Sequence, residues 1–381
     1  MQSVGLKSKT IMQGHYHISA KSDFDIYFPD LAPRWLPHLM RMGLGTILAL
    51  LFVLRRAKVV HMSFEGFALN ASVYWWLEPR LLRLAGVKSV VIPFGADAYL
   101  YSQVIDPSLR CGLLASYPEL AKREDGIARR VRLWSSQADV VIAGLMVDGI
   151  GRWNVTTNCP FCIDINKWDA KVNYSANDGL NGAVRILHTP NHRGFKGTEF
   201  LVKAVELLKA TGLQVELVLL EKIPNEKVRE FMKSTDILAE QFIATGYGFS
   251  GIEGMASGLP VLSNIDLEAY TRLFRRYSFL DECPILSSPP ERLVDNLRLL
   301  IRNPDLREEL GRAGRSYVEK YHSYAAAQYL FGSIYRKLDG EEVDLINLFH
   351  PLKSSYNQAT PKISHPLVEN RLPTTEKRWR C

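Results

Sequence analysis

Residues 183 to 221 read AVRILHTPNHRGFKGTEFLVKAVELLKATGLQVELVLLE, and this stretch decides the fold. Two short runs rich in Val, Ile and Leu, residues 183 to 188 and 213 to 221, have the length and composition of buried strands. Between them, apolar residues recur at three-to-four spacing from Thr198 to Ala210, as on the buried face of a helix. A strand, a helix and a second strand in this order predict two parallel strands joined by a crossover helix.

The same alternation continues on both sides of this unit. Residues 57 to 62 and 87 to 95 are predicted strands of the first half, with a helix from Trp75 to Ala85 between them. Residues 236 to 240 and 259 to 264 are predicted strands of the second half. The pattern therefore predicts an α/β protein built on parallel sheets.

The stretch 173 to 182, NYSANDGLNG, has no hydrophobic periodicity and separates the two halves as a linker would. We place a domain over 1–178 and another over 179–322, with a helix over 323–345 crossing back to the first domain. Residues 350–381 are predicted to form a basic, flexible tail. Two facing α/β domains enclose a cleft, and the strand ends lining it are the default ligand site.

Composition and charge exclude several classes of protein. The chain has 381 residues, 47% of them hydrophobic and 23% charged, which is typical of a globular protein with about two domains. The formal charge of +7 favours an anionic partner, but no nucleic-acid-binding module accompanies it, so no nucleic acid is expected. The longest apolar run, Leu44 to Leu54, is short for a membrane span, and the N-terminus lacks the apolar core of a signal peptide. A cytoplasmic protein is therefore expected.

The five cysteines are too few and too irregularly spaced for a disulfide framework, which favours a reducing compartment. Cys159 and Cys162 have the spacing of a redox or metal-binding pair. No second pair supplies further metal ligands, so neither role is favoured.

Residues 246 to 264, GYGFSGIEGMASGLPVLSN, contain the pattern Gly-x-Gly-x-x-Gly after a predicted strand and before a helix. A dinucleotide-binding fingerprint does not fit, because Gly258 and Pro260 stop the helix after about two turns and the acidic residue beyond it lies too close. What the pattern still indicates is an anion such as phosphate at the helix N-terminus, approached closely by glycine backbone.

Glu253 lies in the first turn of this predicted helix, where two interpretations stay open. Ser250 and Glu253 have the spacing of a capping box, in which the carboxylate accepts a backbone N–H bond. Alternatively, the carboxylate binds a vicinal diol, such as a nucleotide ribose, held next to its phosphates. The spacing alone favours the cap.

The turn HTPNHRGFKGTEF, residues 188 to 200, contains the second candidate site. Lys196 lies at the positive end of the following helix, where a cation is unfavourable unless an anion shares the site. Arg193 supplies a forked donor for phosphate oxygens in this interpretation, and the alternative is a solvated basic turn. Residues of the type and position of His188 and His192 are more often structural than catalytic.

Four ordered segments of the second half resemble the retaining GT-B glycosyltransferases, especially glycosyltransferase family 4. They are HTPNHRGFKGT, the helix EFLVKAVELL, STDILAEQ and GYGFSGIEGMASGLPV. Weaker similarity extends over residues 57 to 165. The resemblance implies two Rossmann-like domains facing a cleft, with a nucleotide sugar, UDP- or GDP-linked, held by the second domain and an acceptor by the first.

The resemblance also implies roles for individual residues. Lys196 and Arg193 would grip the donor diphosphate and Glu253 the ribose, without a metal or another cofactor. Asp97 is carried over as a catalytic contact to the sugar or acceptor, although an Asp after a strand is as often a helix cap. The donor-binding loop comprises Thr245, Gly246, Tyr247, Gly248, Phe249, Ser250 and Gly251, with Thr245 standing where the family often has Glu.

The implied reaction is transfer of a sugar, with retention of configuration, to a glycan, lipid-linked or small-molecule hydroxyl, as in polysaccharide or glycoconjugate biosynthesis. Residues 7 to 17, KSKTIMQGHYH, resemble the family's second strand, so the first βα unit of the N-terminal domain is expected to be absent. The alternative function is a catalytically degenerate GT-B protein that binds a nucleotide sugar or a glycan.

Membrane contact is a subsidiary hypothesis. Residues 35 to 58 combine Leu, Met, Phe and Ile with three arginines, and residues 73 to 79, VYWWLEP, add aromatic side chains, as an interfacial surface would. The alternative for both segments is a buried helix. If the acceptor is lipid-linked, the protein is expected at the inner face of a membrane.

Overall fold

The computed structural model describes residues 5–14, 24–145 and 148–367. Within these ranges the chain forms eleven strands and fourteen α-helices, and the paired strands are all parallel. Parallel strands need long crossover connections, and here helices provide most of them and cover the sheets. The predicted α/β class is therefore confirmed.

The first half of the chain contains six strands and five helices within the described ranges. The strands are β1 Ile11–Met12, β2 Ile26–Tyr27, β3 Val59–Met62, β4 Lys88–Val91, β5 Val140–Ala143 and β6 Val155–Thr156. The helices are α1 His38–Arg56, α2 Glu78–Leu84, α3 Pro107–Ser116, α4 Pro118–Ala121 and α5 Glu124–Gln137. Strands β3-β4-β5-β6 form one sheet in this order, and β1 pairs with β2 in a separate one. Of the segment 7 to 17, residues 15 to 17 lie outside the described ranges.

The second half contains a five-stranded sheet and, within the described ranges, the remaining nine helices. Its strands are β7 Val184–His188, β8 Val215–Leu219, β9 Ile237–Gln241, β10 Val261–Ser263 and β11 Leu286–Ser287. The helices are α6 Arg193–Lys196, α7 Thr198–Ala210, α8 Asn225–Lys233, α9 Phe249–Ala256, α10 Glu268–Tyr277, α11 Leu293–Arg302, α12 Pro304–Tyr321, α13 Tyr324–Leu338 and α14 Ser355–Ala359. The strand order is β11-β10-β9-β7-β8.

The strand order reverses between β7 and β9, which are neighbours although β8 separates them in sequence. The chain leaves β7 toward one edge of the sheet and leaves β9 toward the other, so the loops at their carboxyl ends diverge and open a crevice. His188, at the end of β7, fixes this point. Its Nδ1 donates to the Ala239 carbonyl of β9 at 2.7 Å, and its Nε2 accepts from the Thr198 hydroxyl of α7 at 2.9 Å.

The chain crosses between the two halves at residues 161–163 and again at His322, and hydrogen bonds join these two crossing segments. The Ile163 N–H donates to the His322 carbonyl at 2.8 Å, and His322 Nδ1 donates to the Phe161 carbonyl at 2.7 Å. His322 Nε2 then accepts from the Tyr247 hydroxyl at 3.0 Å, which lies 2.8 Å from the Tyr317 hydroxyl. Because Tyr247 belongs to the glycine-rich loop, this buried network ties the loop to the junction of the two halves.

Helix α13 returns to the first half of the molecule. The Tyr335 hydroxyl lies 2.9 Å from His61 Nε2 of β3. The helix ends at Leu338 and is shorter than the predicted range 323–345. The two larger sheets lie on either side of the predicted linker, and the domain limits 1–178 and 179–322 stay predictions.

A buried guanidinium holds the predicted linker. Arg307 Nη2 donates to the carbonyls of Ser175 and Asn177 at 2.9 and 2.6 Å, and its Nη1 donates to two carbonyls of α11. The linker backbone is therefore fixed to the second half rather than free.

The predicted flexible tail, 350–381, is packed over the part that the structure describes. The Tyr356 hydroxyl donates to a backbone carbonyl of α12, and Leu367 is buried. Contacts therefore hold part of 350–367 against the body of the protein, where scattered apolar side chains are buried without a periodic pattern, and the flexibility of the tail stays a prediction. Residues 368–381 lie outside the described ranges.

Burial lowers the pKa of His188 to about 4 from an ordinary value of 6.5, so the folded state holds this imidazole neutral. Between those two values the unfolded chain binds a proton here and the folded chain does not, so stability falls as pH drops. We expect the protonation to cost about 1.4 kcal/mol at pH 5.5 relative to pH 7.5. In His188→Asn, whose amide can still donate to the Ala239 carbonyl, the loss between these pH values should be smaller by about that amount. Urea unfolding at both pH values measures it, and equal losses in the two proteins would contradict the assignment.

Candidate active site

A cleft of about 800 Å³ lies where the carboxyl ends of the two larger sheets face each other. The first half contributes residues that follow β4, among them Phe94 and Tyr99. The second half contributes Lys196 from the connection after β7, Thr245 from the loop after β9, and Glu253 of α9. This is the crevice in which open parallel sheets bind ligands.

Lys196 ends the short helix α6, and its side chain is 14% exposed. Its ammonium nitrogen donates to Gln241 Oε1 at 2.8 Å and lies 3.5 Å from Glu240 Oε1. Gly197, with φ +74°, ends α6 in the left-handed conformation and lets α7 start at the next residue. The ammonium therefore sits beside the carboxyl end of β9, close to the positive end of α7, and its contact with a ligand stays a prediction.

Arg193 does not line the cleft. Its guanidinium is 40% exposed and donates to Glu199 Oε1 at 2.7 Å and to Glu221 Oε2 at 3.2 Å. The bond to the Glu199 carboxylate raises the pKa of Arg193. Two carboxylates thus hold this side chain at the surface, and the structure does not bring Arg193 into the cleft with Lys196.

The glycine-rich loop passes over the end of β9 and starts α9. Gly246 has φ +115°, and a Cβ there would lie 2.6 Å from Leu145 Cδ1, so only glycine fits. Gly248 is the N-cap of α9. The residues of this loop that line the cleft are Thr245, Gly246, Tyr247, Gly248, Phe249 and Ser250, whereas Gly251 packs against Glu240.

Glu240 is the site residue that the sequence analysis did not identify. Its side chain is completely inaccessible, and its Oε1 accepts from the Gly248 N–H at 2.7 Å and from the Ser250 hydroxyl at 3.1 Å. Its Oε2 has no hydrogen-bond partner in the part of the chain that the structure describes. The available signal was a carboxylate inside the buried strand ILAEQ, because a charge in such a position needs specific partners.

The capping-box interpretation of Glu253 does not agree with the structure. Helix α9 begins at Phe249 with Gly248 as its N-cap, so Glu253 is the fifth helical residue and lies beyond the capping position. The carboxylate of Glu240 bonds the N-cap N–H instead. Glu253 lines the cleft, its Oε1 accepts from Asn225 Nδ2 at 2.8 Å, and burial raises the pKa of its carboxyl group. A role toward a ligand diol stays a prediction.

Asp97 lies beneath the loop after β4 and does not line the cleft. Its Oδ1 accepts from the backbone N–H groups of Phe94 and Gly95, both at 2.9 Å, and its Oδ2 accepts from the Phe64 N–H at 3.0 Å. Burial raises the pKa of this carboxyl group, although the three backbone bonds act in the opposite direction. These contacts describe a residue that positions the loop, and the proposed contact to sugar or acceptor stays untested.

Thr245 occupies the place where the resemblance led us to look for a glutamate. The residue is buried and lines the cleft, and its hydroxyl has no hydrogen-bond partner within the described ranges. A buried polar atom without a protein partner beside a cleft is a point at which a ligand can complete the hydrogen bonding.

The wall from the first half is largely apolar. Phe94 is 68% exposed, and Leu100, Val104 and Leu109 line the cleft behind it. The polar groups of the site therefore belong mostly to the second half.

Residues 199–329 match the model of a family described as glycosyl transferase-like. Among solved structures, the chain is similar to sucrose-phosphate synthase from Thermosynechococcus elongatus, with 16% identity over 81% of this chain and 80% of that one, and a TM-score of 0.51. It is also similar to WaaG, a glycosyltransferase involved in lipopolysaccharide biosynthesis, with 15% identity over 72% and 84% of the chains and a TM-score of 0.46. S. aureus MnaA, solved with UDP, has 18% identity over 81% and 85% and a TM-score of 0.42.

The similarity to sucrose-phosphate synthase shows the fold. Two Rossmann-like α/β domains face a cleft in the GT-B arrangement, as the sequence predicts. The glycosyl transferase-like region runs from α7 into α13 and includes Glu240, the glycine-rich loop and Glu253, whereas Lys196 precedes it.

The close approach of Gly251 to Glu240 generates a test. In Gly251→Ala the new methyl group would overlap with Glu240 Oε2, and we expect a loss of about 1–3 kcal/mol in unfolding free energy from overpacking. Gly126→Ala in α5 is the matched control, since its Cβ would meet no atom within 4 Å. That variant should be neutral or gain up to about 1 kcal/mol from helix propensity.

Urea unfolding of both variants measures the difference. A double variant, Gly251→Ala with Glu240→Asp, shortens the carboxylate and should recover part of the loss. Equal stability of the two alanine variants would show that the Glu240 carboxylate does not require glycine at 251.

Proposed function

We propose that the chain is a glycosyltransferase that transfers a sugar from a nucleotide-sugar donor to an acceptor hydroxyl, with retention of configuration and without a metal. The observation that carries the proposal is the convergence, in one cleft, of the Lys196 ammonium, the N-terminus of α9 and the buried Glu253 carboxylate. The glycosyl transferase-like match over residues 199–329 supports the same reaction class.

The donor's diphosphate would lie between Lys196 and the start of α9. An ammonium and the free N–H groups of a helix N-terminus both favour an anion. Six loop residues from Thr245 to Ser250 line this part of the cleft, and the Thr245 hydroxyl is left to bond the donor. Gly246 and Gly248 both belong to this lining, so the loop presents little side-chain bulk there.

The nucleoside would extend from there toward Glu253. The Glu253 carboxylate can accept two hydrogen bonds from the ribose diol, and Asn225, which bonds it in this structure, orients it for that contact. Lys222, next to Asn225 in the lining, has φ +56°, a strained conformation of the kind that clusters at ligand sites. UDP- and GDP-sugars are the donors that we propose.

In the transfer, the bond between the anomeric carbon and the diphosphate oxygen breaks, and the acceptor oxygen bonds to the same carbon. The hydroxyl proton leaves with the nucleoside diphosphate. Negative charge grows on the departing diphosphate, and Lys196 together with the dipole of α9 stabilises it. The remaining contribution is positioning, because the two walls of the cleft hold donor and acceptor side by side.

The acceptor would bind against the apolar wall of the first half. Phe94 is the exposed side chain of this wall, and Leu100 and Val104 behind it are buried. Polar lining groups such as Tyr99 and Asp148 are few here, so a bare polysaccharide would find few partners for its hydroxyls. We therefore favour a lipid-linked acceptor in glycoconjugate biosynthesis over a free glycan.

A screen for stabilisation by UDP-, GDP-, ADP- and CMP-sugars tests the donor site. At a hundred times its Kd, a bound donor should raise the unfolding free energy by about 2.7 kcal/mol. The stabilisation should be lost in Lys196→Ala and Glu253→Ala, and kept in Lys203→Ala, an exposed lysine of α7 paired with Glu206. No stabilisation of folded protein by any donor would contradict the proposal.

Turnover separates the enzyme from a catalytically degenerate binder. With the donor identified above, Lys196→Ala should lower kcat by about 10²- to 10³-fold, as the loss of one group facing transition-state charge does. Donor binding with no hydrolysis or transfer in the wild-type protein would favour the non-catalytic alternative.

We also propose that α1 attaches the protein to an anionic membrane surface. One face of α1 packs on the protein through Gly45, Ala49, Leu50 and Val53. The opposite face exposes Met40, Ile47 and Leu51 at helical spacing, and Leu39, near the N-terminal end of the helix, is 84% exposed. A helix seated on its own domain in this way lies along an interface.

The charge of this region suits an anionic lipid surface. Between residues 24 and 91 there are eight Lys and Arg against four Asp and Glu. Arg55 and Arg56 follow the apolar face at the C-terminal end of α1, and the exposed Trp35 precedes it. By length and composition alone α1 is also apolar enough to cross a bilayer, a test that core helices of other proteins pass as well. Its packed face favours the interfacial placement.

Flotation with vesicles containing phosphatidylglycerol tests this surface. The wild-type protein should float, and Ile47→Ser with Leu51→Ser should lose most of the binding without losing stability, because both side chains are exposed. Leu207→Ser, an exposed leucine of α7, is the matched control and should float like wild type. No flotation of the wild type would remove the membrane proposal, and concentration-dependent self-association abolished by the same double variant would assign the face to a second copy.

A further inference from the structure

We propose that Glu240 is a fixed negative charge that makes the phosphate subsite prefer a diphosphate ester over the more highly charged free diphosphate, and thereby speeds release of the product. This inference rests on the proposed function, since it concerns how the same cleft distinguishes donor from product. It assigns a role to a residue that contacts the subsite from beneath.

Glu240 lies directly behind the groups that would hold the phosphates. Its Oε1 accepts from the Gly248 N–H at 2.7 Å and the Ser250 hydroxyl at 3.1 Å, and it lies 3.5 Å from Lys196 Nζ. Gly248 is the N-cap of α9, Ser250 is the second residue of that helix, and Lys196 is the cation of the subsite. One carboxylate therefore takes up part of the positive potential that an incoming anion would use.

A second polar group, in the loop before α9, has no protein partner in the described part of the chain. The Thr245 hydroxyl is buried, lines the cleft and makes no hydrogen bond within the described ranges. The loop that leads into the eight-residue helix α9 thus carries an unpartnered buried hydroxyl, which points to a ligand.

The protein keeps Glu240 at a cost. Its Oε2 is buried without a partner in the described part of the chain, and Gly251 leaves the room that this oxygen needs. A glutamine in the same place would keep the Oε1 contacts and remove the charge. The hydrogen bonds of Oε1 therefore do not account for a charge at this position, and an electrostatic role does.

The charge separates substrate from product in a simple way. A nucleoside diphosphate carries about one more negative charge than its sugar ester at neutral pH, because the terminal phosphate is free and its second pKa is near 6. Repulsion from a buried carboxylate a few ångströms away acts on every negative charge of the ligand. It therefore weakens binding of the product more than binding of the donor. Lys196 alone would have the opposite preference and would retain the product.

Binding of inorganic diphosphate to the wild-type protein, Glu240→Gln and Glu240→Asp tests the charge without depending on a base or a sugar. We expect Glu240→Gln to bind inorganic diphosphate about ten-fold more tightly than wild type, and Glu240→Asp, which keeps the charge, to stay within about three-fold of it. Glu216→Gln removes an exposed carboxylate of β8 that pairs with Arg185, and it controls for the change in net charge. Unchanged or weaker binding to Glu240→Gln would overturn the inference.

UDP and UDP-glucose then test the selectivity. The Kd for UDP should fall at least about three-fold more than the Kd for UDP-glucose in Glu240→Gln, and equal changes would overturn the inference. Tighter binding of inorganic diphosphate, with no binding of any nucleotide sugar to the wild type, would leave the charge effect standing and reject the proposed donor. If Glu240→Gln does not fold, wild-type protein decides: the β-methyl ester of UDP should bind at least as tightly as UDP, and weaker binding of the ester would overturn the inference.

Discussion

The site depends on the contact between β7 and β9 at the point where the strand order of the second sheet reverses. These strands carry Lys196 and the glycine-rich loop on connections that leave in different directions, yet their carboxyl ends stay side by side. His188 locks the contact, because one ring nitrogen bonds β9 and the other bonds the first turn of α7. Without this pairing, the Lys196 ammonium and the N-terminus of α9 would not both lie beside Glu240 of β9.

The two walls of the cleft differ in chemistry, and the difference agrees with a division of labour. The second half presents an ammonium, a buried carboxylate and a helix N-terminus, which suit a charged, hydrogen-bonding ligand. The first half presents Phe94 and aliphatic side chains, which suit an acceptor with an apolar part. The outward apolar face of α1 belongs to the same half, so a membrane-bound acceptor would meet both surfaces on one domain.

Most of the fold could be predicted from the sequence, because buried strands and amphipathic helices leave periodic patterns. Helix α7 was predicted to the residue, and Lys196 was placed beside its positive end. The structure does not place Arg193 and Asp97 in the cleft. The sequence could not predict this, because the direction of each side chain depends on partners distant in sequence, such as Glu221 and the Phe64 N–H.

Glu240 and the packed segment at 350–367 show the other limit of sequence reasoning. A single carboxylate in a strand has no periodicity, and its meaning appears only when Gly248 and Lys196 are seen around it. The segment at 350–367 likewise has no periodic pattern in its sequence that would indicate its buried side chains.

The bonded crossings at the junction of the domains restrict how the cleft can change. Ile163, Phe161 and His322 fasten the two connecting chains to each other, and Arg307 fixes the remaining linker to the second half. A rotation of one domain against the other would keep these bonds only if its hinge axis passed through this junction. Tyr247 is anchored on that axis through His322 and Asn158, so the donor loop would keep its geometry at every opening angle. The acceptor wall lies away from the axis and would move toward and away from the donor loop.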